Sequence, residues 1–254
     1  MSRPAPAGRA VAALAAHDLR LTARRGENIL VTIVIPIAAL LFFGSDSESP
    51  SFAVPRPRYF LVPGVIALGI IASGLVNLGI ATAYDRSYGV LKRLGGAPLP
   101  RWGLIVAKIV SVLGLELVQI AAILAVATLV LGWTPGSDWS PLLFVLTVLF
   151  GTATFVSLGL LLAGTLRAEA TLALANGLFL GFLMLGGIIA PADQLPGPLQ
   201  LLSAVLPVTA LAELLRISLA SGLERVMDPI APAAILAAWA LGAVMLTIRT
   251  FRWQ

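Results

Sequence analysis

Six stretches of the sequence are apolar enough and nearly long enough to cross a lipid bilayer, and they limit the possible folds more than any other feature. Their approximate limits are 29–44, 59–83, 104–131, 141–166, 170–190 and 229–248. An α-helix rises 1.5 Å per residue, so about 20 apolar residues span the hydrocarbon core. The first stretch is short and contains Pro36. Charged residues make up only 11% of the chain, against roughly a quarter in soluble domains. These features predict an all-α integral membrane protein with six transmembrane helices.

The distribution of Lys and Arg predicts the orientation, because cytoplasmic loops retain positive charge. If the N-terminus is cytoplasmic, 13 of the 17 Lys and Arg residues lie on the cytoplasmic side. We therefore expect both termini in the cytoplasm. The net charge of +5 does not indicate nucleic acid, because the basic residues flank apolar stretches, where anionic membrane lipids are the simpler partner.

An amphipathic helix is predicted over residues 8–25, lying in the cytoplasmic membrane interface ahead of the first span. Helix formers without proline fill this segment, and Val11, Leu14, Ala15 and Leu19 form its apolar side. Asp18 interrupts that side. A disordered basic tail is the alternative interpretation.

The segment 191–228 is predicted to be extracellular and re-entrant. Its middle is apolar, but Pro196, Pro198 and Pro207 prevent a continuous helix, and Glu213 and Arg216 follow. Broken helices are tolerated at membrane depth only where protein buries their free backbone groups. We therefore expect short helices between spans five and six rather than a seventh span.

Glycines recur every five residues in the second span, at Gly64, Gly69, Gly74 and Gly79. In an α-helix this spacing rotates by about 140° per step, so we expect the four glycines not to share one face. Gly177 and Gly181 in the fifth span have the GxxxG spacing that permits close helix contact.

Several kinds of site are missing from the sequence. It has no GxxxxGK[ST] phosphate loop, no cysteine and a single histidine, His17. No acidic clusters are placed to hold Mg²⁺ for phosphoryl or prenyl transfer. We therefore expect a non-catalytic membrane chain with no metal site and no cofactor of its own.

The segment 84–100 is basic and lies between spans two and three. A helix from Tyr84 to Leu94 would bring Val90, Leu91 and Leu94 close together and direct Arg86, Lys92 and Arg93 elsewhere. Gly95 and Gly96, followed by two prolines, would end this helix sharply. Judged on the residues alone, a loop that merely retains positive charge is an equally good interpretation.

Two motifs resemble those of ABC-2 type transporter permeases. YDRSYGVLKRLGGAPLPRWGLIVAKI is similar to the family's segment between spans two and three, and DQLPGPLQLLSAVLPVTALAELLRISLASG is similar to its outer segment. With six spans, the resemblance covers essentially the whole chain. Tyr84-Asp85-Arg86-Ser87 stands where the family often has an ERE-like run rich in Glu.

The resemblance implies a bacterial cytoplasmic-membrane subunit of an ATP-driven exporter. A coupling helix would dock into an ABC ATP-binding subunit, present in two copies and holding ATP and Mg²⁺. A second membrane subunit, identical or similar, would complete a dimer. The implied coupling residues are Asp85, Arg86, Val90, Leu91, Lys92, Arg93 and Leu94, and Arg20 and Arg24 of the N-terminal helix would make a second contact.

Glu116 is the single carboxylate inside a predicted span, with Gln119 one turn further on. Acids inside a membrane are costly and usually face a protein interior, so both residues are candidates for the translocation path. A structural hydrogen bond to a neighbouring span, or to Gln119, is an equally good interpretation.

Two functions remain after these exclusions. An exporter of an apolar or amphipathic compound, such as a drug in multidrug efflux, an antibiotic or a lipid, agrees with the scarcity of charge inside the spans. The alternative is a stand-alone proton-coupled secondary transporter that uses Glu116. That class often shows an internal repeat, and none is evident in this sequence.

Overall fold

The computed structural model describes residues 7–24, 26–44, 57–95, 101–220 and 228–251. Regular structure in these ranges is helical and includes no strand, which confirms the predicted all-α class. A π-helix (Ala72–Leu78) and a 3-10 turn (Ala192–Gln194) accompany the α-helices. The α-helices are α1 (Ala7–Arg24), α2 (Gly26–Gly44), α3 (Pro57–Ile71), α4 (Gly79–Ser87), α5 (Val90–Gly95), α6 (Arg101–Leu129), α7 (Pro141–Thr165), α8 (Ala168–Leu185), α9 (Gly197–Val205), α10 (Pro207–Ser218) and α11 (Ile230–Thr250).

Five helical stretches in the described ranges are long and apolar enough to cross a membrane. They coincide within a few residues with predicted spans two to six: Arg58–Ser87, Trp102–Leu129, Pro141–Thr165, Ala168–Leu185 and Ile230–Thr250. α2 covers the first predicted span and contains Pro36, but only Ile33–Phe42 within it counts as an apolar helix, and this is shorter than a span. The expected six transmembrane helices are therefore confirmed for five. The chain is therefore a multi-pass membrane protein. The side that each end faces stays a prediction.

The second span lies at the centre of the helix bundle. It is one helical stretch of 30 residues, Arg58–Ser87, in which α3, the π-helix and α4 follow one another without a gap. Nearly all residues from Phe60 to Leu75 are buried. A π-helix has i→i+5 hydrogen bonds and therefore more residues per turn than an α-helix. This local widening changes which side chains face the neighbouring helices.

Two of the four glycines in this span face the same neighbouring helix, which α-helical geometry does not predict. A Cβ atom on Gly74 would lie 2.8 Å from the Val156 amide nitrogen, and one on Gly79 would lie 3.0 Å from the Gly159 Cα, so both glycines face α7. Gly64 and Gly69 face other neighbours, Ile188 and Gln119. The four glycines therefore do not share one face, as expected, although Gly74 and Gly79 both face α7. The wider turn of the π-helix brings residues five apart closer to one side.

The surface of the bundle is apolar where α7, α8 and α11 face outward. Large exposed side chains on these helices include Leu142, Leu180, Met184, Leu241 and Met245. A Cβ atom added to Gly177 or Gly181 would meet no described atom within 4 Å. The GxxxG pair on α8 therefore makes no close helix contact within the described part of the chain.

The segment after α8 forms a broken pair of helices, as predicted. α9 and α10 meet at an angle of 75° between Val205 and Pro207. Their junction lies beside the middle of α11, because the Trp239 Nε1 group donates to the Val205 carbonyl oxygen at 2.9 Å. Trp239 is nine residues beyond Ile230, about 14 Å along the helix. A protein group therefore satisfies the Val205 carbonyl oxygen where the helix is broken. Residues 221–227 of the predicted segment lie outside the described ranges.

Candidate functional site

The predicted coupling segment forms two helices rather than one. α4 continues the second span to Ser87, and α5 begins at Val90 after a turn at Tyr88 and Gly89. Gly89 has φ +76°, a left-handed conformation that favours glycine and ends the first helix. Its amide donates to the Arg86 carbonyl oxygen at 3.0 Å. The single helix expected over residues 84–94 was therefore wrong in detail, and residues 96–100 lie outside the described ranges.

Arg86 connects the end of α4 to the loop between α7 and α8. Its guanidinium donates a hydrogen bond to the Leu166 carbonyl oxygen, and the side chain is half-buried. Asp85 beside it is also half-buried. Arg86 thus makes an internal contact that links the coupling segment to α7 and α8.

Leu91 and Val90 are adjacent on α5 but have opposite environments. The Leu91 side chain is 1% exposed, whereas Val90 is 43% exposed. Lys92 is also exposed. We expected Leu91 to contact a partner, but it is buried inside the chain, so we assign it the role of anchoring α5. Arg93 and Leu94 belong to α5, and their side chains lie outside the described part of the structure.

Leu91 belongs to a hydrophobic cluster that joins most of the helices at this end of the bundle. We call it the coupling cluster. The structure brings together residues of α5, α6, α7 and the end of α11, with Leu14 of α1 against them. Because interiors are close-packed, a displacement of α5 is transmitted directly to these helices. The buried members are Leu91, Leu104, Ile105, Val112, Val156, Leu160 and Phe251.

Tyr88 is an exposed aromatic residue that the sequence analysis did not single out. It is 77% exposed and stacks on Tyr84, with ring centroids 6.2 Å apart. Tyr88, Val90 and Lys92 occupy alternate positions of this segment and are all exposed. We call this exposed set the α5 patch. The signal that could have identified Tyr88 was its position directly before the turn glycine.

The N-terminal helix forms as predicted, over Ala7–Arg24, and packs against α6. Val11 and Ala15 are buried with Ala107, in agreement with the predicted apolar side. Asp18, expected to interrupt that side, forms an ion pair with Lys108, with Nζ and Oδ2 2.9 Å apart. Arg20 is exposed, and the side chain of Arg24 lies outside the described part.

Glu116 and Gln119 face the interior between three helices. Both are buried, and the Thr152 hydroxyl of α7 is hydrogen-bonded to Glu116 Oε2. The Ser73 hydroxyl of the π-helix donates to Gln119 Oε1 at 3.5 Å. Glu116 is therefore hydrogen-bonded to a neighbouring span. The two predicted path residues lie side by side in a polar layer within this chain.

The Thr152 hydroxyl has one proton for two contacts, and this limit indicates the role of Glu116. The same hydroxyl lies 2.8 Å from the Val148 carbonyl oxygen, and a hydroxyl has one proton to donate. Both contacts are satisfied together when Thr152 donates to Val148 and the carboxyl group of Glu116 donates to Thr152. A glutamine amide can donate in the same way. This geometry favours a structural hydrogen bond between α6 and α7.

We expect Glu116→Gln to remain folded and to transport at close to the wild-type rate. The neutral amide keeps the shape and the bond to Thr152, so its unfolding free energy should change by less than about 1 kcal/mol. Glu116→Leu should cost about 1–3 kcal/mol because it leaves Thr152 without this partner. Thermal unfolding in detergent and vesicle transport measure the two effects. A folded Glu116→Gln variant that does not transport would instead place Glu116 in the translocation path.

The described residues include no group of three or more His, Cys, Asp or Glu side chains able to hold a metal ion. The residues at this end of the bundle are arranged so that a displacement of one helix can reach others. Exposed residues of a short helix are adjacent to the buried Leu91, which belongs to a cluster that includes residues of α6 and α7 and Phe251 after α11. Such an arrangement can receive a force from another protein.

Comparison with known proteins agrees with this geometry. The family model described as ABC-2 type transporter matches residues 9–220. A transport permease of Porphyra purpurea, ycf38, is 31% identical over 199 residues, which cover 76% of this chain and 68% of the relative. The transport permease YvfS of Bacillus subtilis (strain 168) is 22% identical over 194 residues, covering 75% of this chain and 77% of YvfS. The chain therefore belongs to the ABC-2 type transporter family.

Proposed function

We propose that this permease is the membrane-spanning subunit of an ATP-driven exporter in a bacterial cytoplasmic membrane. The observation that carries the proposal is the pairing of an exposed α5 patch with the buried anchor Leu91, in a chain of the ABC-2 type family. ATP and Mg²⁺ would be held by a separate ATP-binding subunit, present in two copies. This chain would supply the docking surface and no catalytic group.

Force would pass from the ATP-binding subunit to the spans in two steps. Closure of that subunit would press on the α5 patch, and Leu91 would transmit the displacement to the coupling cluster. Arg86 would carry part of it to the α7–α8 loop through its bond to Leu166. The relative positions of α6, α7 and α11 would then change together.

The substrate path would lie between this chain and a second membrane subunit, identical or similar. The long helices are apolar, and their outward faces present leucine, methionine and phenylalanine side chains. An apolar or amphipathic substrate, such as a drug, an antibiotic or a lipid, fits these surfaces better than a strongly charged one.

The stand-alone proton-coupled transporter is not favoured. Membership in the ABC-2 type family indicates a permease of a different class. Glu116, which that mechanism would use, is buried and hydrogen-bonded to Thr152 between two helices. Its geometry suits a link between α6 and α7 better than a site that exchanges protons with water.

The expected result of purifying the tagged chain from its native host is that a P-loop ATPase copurifies with it. Val90→Asp should weaken that association, because it places a charge in the centre of the α5 patch. The control is Thr134→Asp, an exposed position in the loop between α6 and α7, which should copurify the ATPase normally. Transport that requires a proton gradient and no ATPase would contradict the proposal.

A further inference from the structure

α1 is joined to α6 by an ion pair within an otherwise apolar contact. Lys108 Nζ and Asp18 Oδ2 are 2.9 Å apart, and the two side chains are only 8% and 15% exposed. Lys108 is seven residues into α6, about 10 Å along the helix axis. Judged from the sequence alone, both positions are unfavourable for a charge. Asp18 lies on the apolar side of α1, and Lys108 lies in an apolar span.

The apolar contacts on both sides of the ion pair define how the two helices lie. Val11 and Ala15 pack against Ala107, and Leu19 lies over Gly114, where an added Cβ atom would be 3.1 Å from its Cδ2. The contact positions therefore advance along α6 as they advance along α1. The two helices lie side by side over roughly two turns, and α6 moves if α1 moves.

The ion pair determines the register of this contact. Sliding or rotating α1 on α6 would separate Asp18 from Lys108 and leave both charges in apolar surroundings, which is strongly unfavourable. The apolar contacts alone, mostly alanine, glycine and leucine, would tolerate such a shift more easily. Leu14 of the same helix also packs against the coupling cluster. α1 therefore has a fixed position between α6 and the coupling cluster.

We propose that the Asp18–Lys108 ion pair is a positioning contact that couples α1 to α6, so that an ATP-dependent displacement of α1 moves the third span. This route would act beside the one through α5 and Leu91. The inference rests on the proposed function, because it needs an ATP-binding subunit to move α1. Asp18 and Lys108 act through the position of the helices and touch no substrate.

The test measures movement of α6 directly and needs no knowledge of the substrate. The chain has no cysteine, so Trp102→Cys and Arg249→Cys can be spin-labelled selectively at exposed positions on α6 and α11. Electron–electron double resonance then gives the distance between the labels in the complete complex, with and without ATP and vanadate. In the otherwise unchanged chain we expect this distance to shift on trapping with ATP and vanadate.

We expect Asp18→Asn to bind the ATPase and to lose a measurable part of that shift, because the route through α5 and Leu91 still acts. The exchange of charges, Asp18→Lys with Lys108→Asp, should restore it, whereas Asp18→Lys alone should not. Thr134→Gln, at an exposed position of the loop between α6 and α7, is the control and should leave the shift intact. A purely stabilising ion pair would change thermal unfolding without changing the shift.

Each remaining outcome also decides whether the inference or the proposed function holds. A full shift in Asp18→Asn, or no restoration in a folded charge-exchange variant, would overturn the inference. An unchanged chain that binds the ATPase but shows no shift would overturn it as well. If the unchanged chain binds no ATPase, the proposed function itself fails. If Asp18→Asn does not assemble, the comparison of the charge-exchange variant with the unchanged chain decides.

Discussion

Gly159→Leu should prevent stable assembly of the helix bundle. A Cβ atom at this position would lie 2.5 Å from the Gly74 carbonyl oxygen and 3.1 Å from that of Leu75. Both are backbone atoms, so no side-chain rotation relieves the overlap, and α7 must move away from the π-helix. We expect a loss of about 3 kcal/mol or more, at the upper end of overpacking costs. Membrane expression and thermal unfolding in detergent measure it.

The matched control for this substitution is Gly242→Leu on α11. A Cβ atom there would meet no described atom within 4 Å, and leucine is a better helix former than glycine. This variant should unfold at or above the wild-type temperature. If Gly159→Leu were as stable as the control, the second span and α7 would not be in contact through their backbones.

Substitutions of Leu91 and Val90 should distinguish two roles of α5: its anchoring inside the chain and its docking to the ATP-binding subunit. Leu91→Asp introduces a carboxylate into the coupling cluster, where an unpaired charge is strongly unfavourable. The six-residue α5 should then detach locally, and ATP hydrolysis should continue without transport. Val90→Asp affects an exposed residue, so the stability should change by no more than about 0.5 kcal/mol. Its ATPase affinity should fall by roughly 30-fold, as for a central interface residue.

Three measurements distinguish the variants: thermal unfolding, affinity for the ATPase subunit, and transport per ATP hydrolysed. Leu91→Ala is the milder companion of Leu91→Asp and should lower the same quantities less. If Val90→Asp bound the ATPase normally and Leu91→Asp transported normally, the docking site would lie elsewhere. That result would leave the family membership unaffected and would remove α5 from the proposed mechanism.

The long helices could be predicted closely because the bilayer imposes a simple length rule. Apolar stretches of about 20 residues or more, with few or no charges, marked spans two to six within a few residues of the observed helices. The broken segment after α8 was also predictable, because proline removes backbone donors wherever it occurs. The turn at Gly89 was missed, because the φ angle of a glycine depends on its surroundings.

The candidate site was only partly predictable. The basic segment between spans two and three was predicted to be helical, but the burial of Leu91 beside the exposed Val90 depends on what packs against α5. Asp18 and Lys108 are 90 residues apart, and each looked like an isolated charge in an apolar setting. Only their proximity shows that each neutralises the other.

The sequence by itself determined the membrane class, the positions of the long helices and the resemblance to the ABC-2 type family. These properties follow from local composition, since the hydrocarbon core selects apolar helices one at a time. The tertiary structure decided the rest: the π-helix that turns Gly74 and Gly79 toward α7, the bond from Thr152 to Glu116, and the ion pair between Asp18 and Lys108. Each of these depends on which helices become neighbours, because packing and pairing act between residues far apart in the chain.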